Sequence, residues 1–158
     1  HAIWAQLSTY LVIVAFQGMV INVLIQYIFS SRAVTREIIY AAVAVYFLLG
    51  ALFVPIFGII ETLTFHTMNG ANAFSDNTVL AGAIIPWQTF IYFSYSTLTT
   101  VGYGDVLPLT MWARSAASLE TIIGVMYVTI IMARLVGMYA ARDVDEAIEE
   151  IEEREQFH

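Results

Sequence analysis

Thr97-Leu98-Thr99-Thr100-Val101-Gly102-Tyr103-Gly104-Asp105 is the stretch on which the reading of this chain turns. Gly102 and Gly104 alternate with Val101 and Tyr103. Glycine takes positive φ at little cost, so an extended strand with glycine at every second position can turn all its carbonyls to one side. Val101 and Tyr103 then point the other way and brace the strand, and Thr100 adds a hydroxyl at its inner end. The same letters, Gly-Tyr-Gly-Asp, also suit an ordinary turn. The surrounding chain separates the two readings.

That chain has 158 residues, 59% hydrophobic and 12% charged, with a mean hydropathy of +0.76. Soluble domains carry about 25% charged residues, so this is a membrane composition, long enough for a few spans and no separate soluble domain. Cysteine is absent, which leaves no disulfide framework and no thiolate metal site. Every cationic side chain is arginine, and the net charge is −7. Eight of the thirteen acids fall between Asp143 and Glu155, so the acidity belongs to a tail. An acidic chain of this kind argues against a nucleic-acid role. His1, His66 and His158 show no metal-ligand spacing, and no nucleophile–base set supports an enzyme. The start at His1, without a basic leader, reads as a fragment or processed product rather than a signal peptide.

Ile3 to Phe29 is an apolar run whose length, at about 1.5 Å per residue, exceeds a bilayer core of roughly 30 Å. A polar break, Ser30 to Glu37, carries Arg32 and Arg36. Ile38 to Ile60 is a second span with Pro55 near its end as a kink, and Thr62 to Ala83 reads as an exposed turn-rich loop. Pro86 to Leu98 is too short to span and is rich in aromatics, which predicts a re-entrant helix ending at the glycine strand. Thr110 to Met138 is the third full span, and Ala140 to Gln156 a charged helix outside the membrane. Arg32, Arg36, Arg134 and Arg142 put the polar break and the end of the last span on the cytoplasmic side, and the C-terminus with them. Three spans then place residue 1 outside, so a further span is expected before it. The fold class is an all-α membrane protein in three parts: residues 1–37 a preceding transmembrane helix and linker, 38–140 a pore domain, and 141–158 an acidic cytoplasmic helix.

The run Thr100-Val101-Gly102-Tyr103-Gly104-Asp105 resembles the selectivity filter of the tetrameric potassium channels. The order of outer helix, re-entrant helix, filter and inner helix over residues 38–140 resembles their pore domain. Leu119-Glu120-Thr121-Ile122-Ile123-Gly124 and Ala133-Arg134-Leu135-Val136-Gly137 are similar to prokaryotic ion-channel proteins that carry extra helices before the pore. The resemblance implies a homotetramer in a lipid bilayer, in a prokaryotic plasma membrane. It passes K+ passively through rings of backbone carbonyls, with K+ at Thr100, Val101, Gly102 and Tyr103 and no cofactor. A regulatory domain outside this sequence is expected to supply the gating stimulus. A poorly selective cation channel is the alternative. A potassium transporter subunit is the next, although such subunits carry several degenerate filter repeats in one chain and only one appears here. The first span lacks the arginine at every third position of voltage-sensing relatives. A gating charge is worth about 2.3 kcal/mol per 100 mV, so a sensor of that kind is not supported.

The resemblance also assigns individual positions. Asp105 is expected to accept a hydrogen bond from an aromatic donor on the re-entrant helix, Tyr92, where relatives often have tryptophan; the other reading of Tyr92 is packing. Some relatives place a glutamate on the re-entrant helix four residues before the filter threonine. That position is Ser96 here, and Glu120, inside the last span, is expected to reach Ser96, Thr97 or a nearby backbone donor instead. Protonation would lower the cost of an acid at that depth. The competing reading pairs Glu120 with Arg114. Gly124 reads as a gating hinge, or as a site of close helix packing. Val125, Val128, Met132, Val136 and Ala140, spaced three or four apart, are expected to line the cavity and gate, with lipid contact as the alternative. Val144, Ile148 and Ile151 could seed a short bundle or belong to a solvated helix.

Overall fold

A computed structural model describes residues 2–31, 35–77 and 82–156, with side chains over residues 3–140 of these. Its helices are α1 (Ala2–Ser30), α2 (Arg36–Thr67), α3 (Trp87–Leu98) and α4 (Met111–Gln156), joined by two short strands, β1 (Phe74–Asp76) and β2 (Val106–Pro108). Three stretches, Ile3–Ser30, Arg36–Thr67 and Met111–Ala140, are long and apolar enough to cross a membrane. The chain is an all-α integral membrane protein.

The second helix corrects the expected boundary. It runs on through Thr67 instead of stopping at Ile60, so Pro55 lies inside it, well before its end. The polar residues Thr62 and Thr67 do not break the helix because their hydroxyls donate back to the carbonyls of Gly58 and Leu63, each at 2.8 Å. The turn comes only at Asn69 and Gly70, both in the left-handed region with φ 51° and 89°.

Glu61 sits at the top of α2, 6% exposed. Its two oxygens collect Asn72 Nδ2 at 2.6 Å, the Ala73 amide at 2.7 Å and the Phe74 amide at 3.2 Å. The loop after α2 is therefore not structureless. It is folded onto a buried carboxylate and continues into β1, which pairs antiparallel with β2 in the register Phe74↔Pro108, Ser75↔Leu107, Asp76↔Val106. That pairing ties the segment before α3 to the segment after the glycine strand.

Pro86 precedes α3, where its fixed φ suits a helix start. Four phenylalanines, Phe57, Phe74, Phe90 and Phe93, meet edge-on at ring centroids 5.1–5.4 Å apart and clamp α2, β1 and α3 together. A second core, including Ile28, Ile38, Val45, Leu98 and Ile131, joins α1, α2, the end of α3 and α4.

The last span and the charged helix expected after it are continuous, one helix of 46 residues. At about 1.5 Å per residue it is roughly 70 Å long, more than twice the bilayer core. The side chains of residues 141–158, among them Val144, Ile148 and Ile151, lie outside the described residues.

Replacing Glu61 by Ala strands two buried donors, the Ala73 and Phe74 amides, each costing about 1–3 kcal/mol, while Asn72 Nδ2 keeps its bond to Ala83 O. Glu61→Ala should lower stability by about 2 kcal/mol or more, seen as a lower thermal unfolding midpoint of the detergent-purified protein. A midpoint unchanged from wild type would show that the loop does not depend on this carboxylate.

Candidate functional site

The α3 helix ends at Leu98, and the chain leaves it by handing its amides back to the helix. The Thr99 amide donates to Tyr95 O at 3.1 Å, Thr100 to Thr97 O at 3.0 Å, Val101 to Ser96 O at 2.9 Å and Gly102 to Ser96 O at 3.2 Å. These acceptors are the orphan carbonyls of the helix C-terminus, which thereby find partners. Thr100, Gly102 and Gly104 have φ of 60°, 56° and 80°, while Val101 and Tyr103 between them stay outside that region. Alternating the hand of the backbone at every second residue is what turns successive carbonyls to one side. Space does not demand the glycines, since nothing lies within 4 Å of a Cβ added at either Gly102 or Gly104; the dihedrals do. Thr100 is β-branched at positive φ, a strain of about 1–3 kcal/mol held by the surrounding bonds.

Among the described residues no donor reaches the carbonyls of Thr100 to Gly104. Backbone carbonyls at membrane depth are otherwise almost always paired. The strand lies on the surface of the chain, with Val101 and Tyr103 51% and 72% exposed.

The outer end of the strand is pinned. Tyr92 Oη donates to Asp105 Oδ1 at 3.0 Å, and the Val106 amide donates to the same oxygen at 3.1 Å. The Tyr92 and Tyr103 rings stack at 6.1 Å with 13° between their planes. The Asn77 amide donates to Asp105 O at 3.3 Å, and β2 begins at the next residue.

Behind the strand, Glu120 meets Ser94 and not Ser96, both partners being fully buried. The reason is the face of α3: Phe90, Ser94 and Leu98, spaced four apart, form its buried stripe. That stripe was the signal in the sequence that favoured Ser94. Ser96 contributes its carbonyl, as the acceptor for Val101 and Gly102. Ser94 Oγ lies 2.5 Å from Glu120 Oε1 and 2.7 Å from Gly50 O. A hydroxyl has one proton to give, so both bonds form together only if Glu120 carries a proton and donates to Ser94, which donates to Gly50. The pairing of Glu120 with Arg114 is not made: Arg114 Nε donates to Pro108 O at 3.2 Å.

Further along α4, Thr121 Oγ1 reaches Thr97 O at 3.4 Å. At Gly124 an added Cβ would stand 2.9 Å from Leu98 O, so this glycine lets α4 press against the end of α3. The stripe Val125, Val128, Met132, Val136 and Ala140 lies on the exposed face of α4. The residues that sequence reasoning missed are Glu61 and Ser94. Neither belongs to a motif, and each is identified by what the fold packs against it.

A family model described as an ion channel matches residues 34–141. No solved structure matches the chain.

Glu120→Ala removes a buried side chain and leaves a void, with an expected loss of about 2–4 kcal/mol in stability. Glu120→Gln, a neutral amide that can still donate to Ser94, should keep stability within about 1 kcal/mol of wild type. Thermal unfolding of the two variants measures both. A large loss in Glu120→Gln would mean the acid is held as a carboxylate.

Proposed function

The chain belongs to this ion channel family, and we propose that it forms a potassium-selective pore that passes K+ passively down its gradient. The observation that carries the reading is the alternation of positive φ at Thr100, Gly102 and Gly104, with the carbonyls between Thr100 and Gly104 left without protein donors among the described residues. Carbonyls without donors are ready to take the place of water around a cation. One chain contributes a single oxygen at each level, so the pore is a homotetramer with a four-fold axis beside the strand. The exposed Val101 and Tyr103 suit this, because neighbouring protomers would cover them.

K+ is the permeant ligand, held by Thr100, Val101, Gly102 and Tyr103, and no cofactor takes part. Asp105 does two things: it fixes the strand through Tyr92, and its ring of four acids concentrates cations at the outer mouth. Glu120 and Ser94 support the helix from which the strand hangs. The inner helix bends at Gly124 to open, and Met132 and Val136 narrow the inner mouth into a gate that closes by dewetting. The C-terminus is cytoplasmic, and the membrane is a prokaryotic plasma membrane.

The test is a bi-ionic reversal potential in a planar bilayer, with potassium on one side and sodium on the other. The expected result is a reversal far toward the potassium equilibrium potential, lost in Gly102→Ala, because alanine resists φ of 56°. A reversal near zero with clear current would make the pore a non-selective cation channel. Tyr92→Phe removes a hydrogen bond to a carboxylate, a bond worth about 1.5–3 kcal/mol, and should speed inactivation of the current roughly tenfold. An unchanged open time would leave Tyr92 a packing residue.

A further inference from the structure

The inner helix α4 has two sets of contacts that change partner at Gly124. Before it, Glu120, Thr121 and Gly124 itself touch Ser94, Thr97 and Leu98 on α3. After it, Tyr127 Oη donates to Ala42 O on α2 at 2.7 Å, and Ile131 packs in the core that holds Ile28 of α1 and Ile38 of α2. Arg134, one turn further, reaches α1 directly. Its Nη2 lies 2.8 Å from Ser31 O, 3.0 Å from Ile28 O and 3.1 Å from Phe29 O, its two protons shared among the three carbonyls, and its guanidinium carbon stands 4.7 Å from the centre of the Phe29 ring.

These carbonyls are the negative end of a helix. The last turn of α1 contains no basic residue of its own, so the cation that complements its dipole comes from α4. The bonds are charge-assisted, and those to Ile28 O and Ser31 O lie in partly buried surroundings, where they are stronger than in water. Residues two apart on a helix differ by about 200° in direction, so Arg134 points almost opposite to Met132 and Val136. A pull on Arg134 away from the stripe withdraws the stripe itself.

We propose that Arg134 is a latch that couples α1 to the inner helix and holds the helix in its unbent form. The proposal rests on the pore reading above, with Gly124 as the hinge. If the half of α4 beyond Gly124 swings, the guanidinium must either carry the end of α1 with it or give up all three carbonyls and the Phe29 ring. The family match begins at residue 34, after α1 has ended, so α1 is an addition to the matched pore region. The latch is the contact by which that addition acts on the gate, and whatever moves the end of α1 moves the gate.

The test is single-channel recording of Arg134→Gln, Arg134→Lys and the double variant Phe29→Leu with Arg134→Gln, each in the full chain. Arg134→Gln should raise open probability about tenfold, with Arg134→Lys closer to wild type because a point charge keeps part of the bonding. Adding Phe29→Leu to Arg134→Gln should change nothing further, since the ring contact has already gone. The bi-ionic reversal potential in the same recordings should stay at its wild-type value, which separates a failed latch from a failed selective pore. Open probability unchanged or lowered in Arg134→Gln overturns the proposal. Amide exchange over residues 24–31 reads the latch without any current. It should be about fivefold faster or more in Arg134→Gln, as the last turn of α1 frays, and unchanged exchange overturns the proposal equally.

Discussion

Carbonyls between Thr100 and Gly104 that receive no hydrogen bond among the described residues are the constraint on which the rest of this structure depends. Between Thr100 and Gly104 the chain must present its acceptors outward while the amides of Thr100, Val101 and Gly102 are satisfied inward. A segment in that state has no secondary structure of its own to hold it. The surroundings must do so, and they do it from three directions. The C-terminal carbonyls of α3 take those three amides; Tyr92 and the Val106 amide take the Asp105 carboxylate; and the β1–β2 pairing anchors the chain beyond Asp105. The strain at Thr100 persists because these bonds over-determine its conformation.

The position of α3 is in turn set by buried polar contacts that would be costly in isolation. Ser94 and Glu120, both fully buried, link α3 to α4, and Ser94 carries the link on to Gly50 of α2. Glu61 does the equivalent work above, binding the loop that ends in β1. In an apolar medium a polar group without a partner is so unfavourable that each pairing has few alternatives. Such contacts fix the geometry of helices whose hydrophobic surfaces alone would slide. The aromatic cluster around Phe57 fills the space between them, and the close approach at Gly124 brings α4 against the end of α3. The upper half of α4 is thus attached to the helix that carries the glycine strand, and its lower half to α1 and α2.

Much of this was legible in the letters. Three apolar runs and a short aromatic one dictated three spans and a re-entrant helix, because the bilayer thickness sets how long a spanning helix must be. The boundaries were less so. Thr62 to Thr67 read as loop from polarity, yet threonine hydroxyls that return to the helix carbonyls let α2 continue. The last span and the charged helix after it read as two segments from hydropathy, and α4 runs through both as one helix. Glu120 stood out as an acid in an apolar span, while its partner did not. Choosing between Ser94 and Ser96 depends on the rotation of α3 about its axis, which packing of Phe90 and Leu98 against neighbouring helices decides.

The sequence by itself determined that the chain crosses a membrane, that a glycine-alternating strand comes after a short helix, and that the strand can turn its carbonyls one way. These are local properties, fixed by hydropathy over a span and by the dihedral freedom of two glycines. Only the tertiary structure decided which groups hold that strand. It put Ser94 rather than Ser96 behind it, sent Arg114 to Pro108, folded the outer loop around Glu61, and brought Arg134 to the end of α1. The physical reason is that these pairs join residues 26 and 103 positions apart, among others. Their meeting is set by helix rotation and crossing in three dimensions; spacing along the chain can mark a buried face, as Phe90, Ser94 and Leu98 do, but not the partner that covers it.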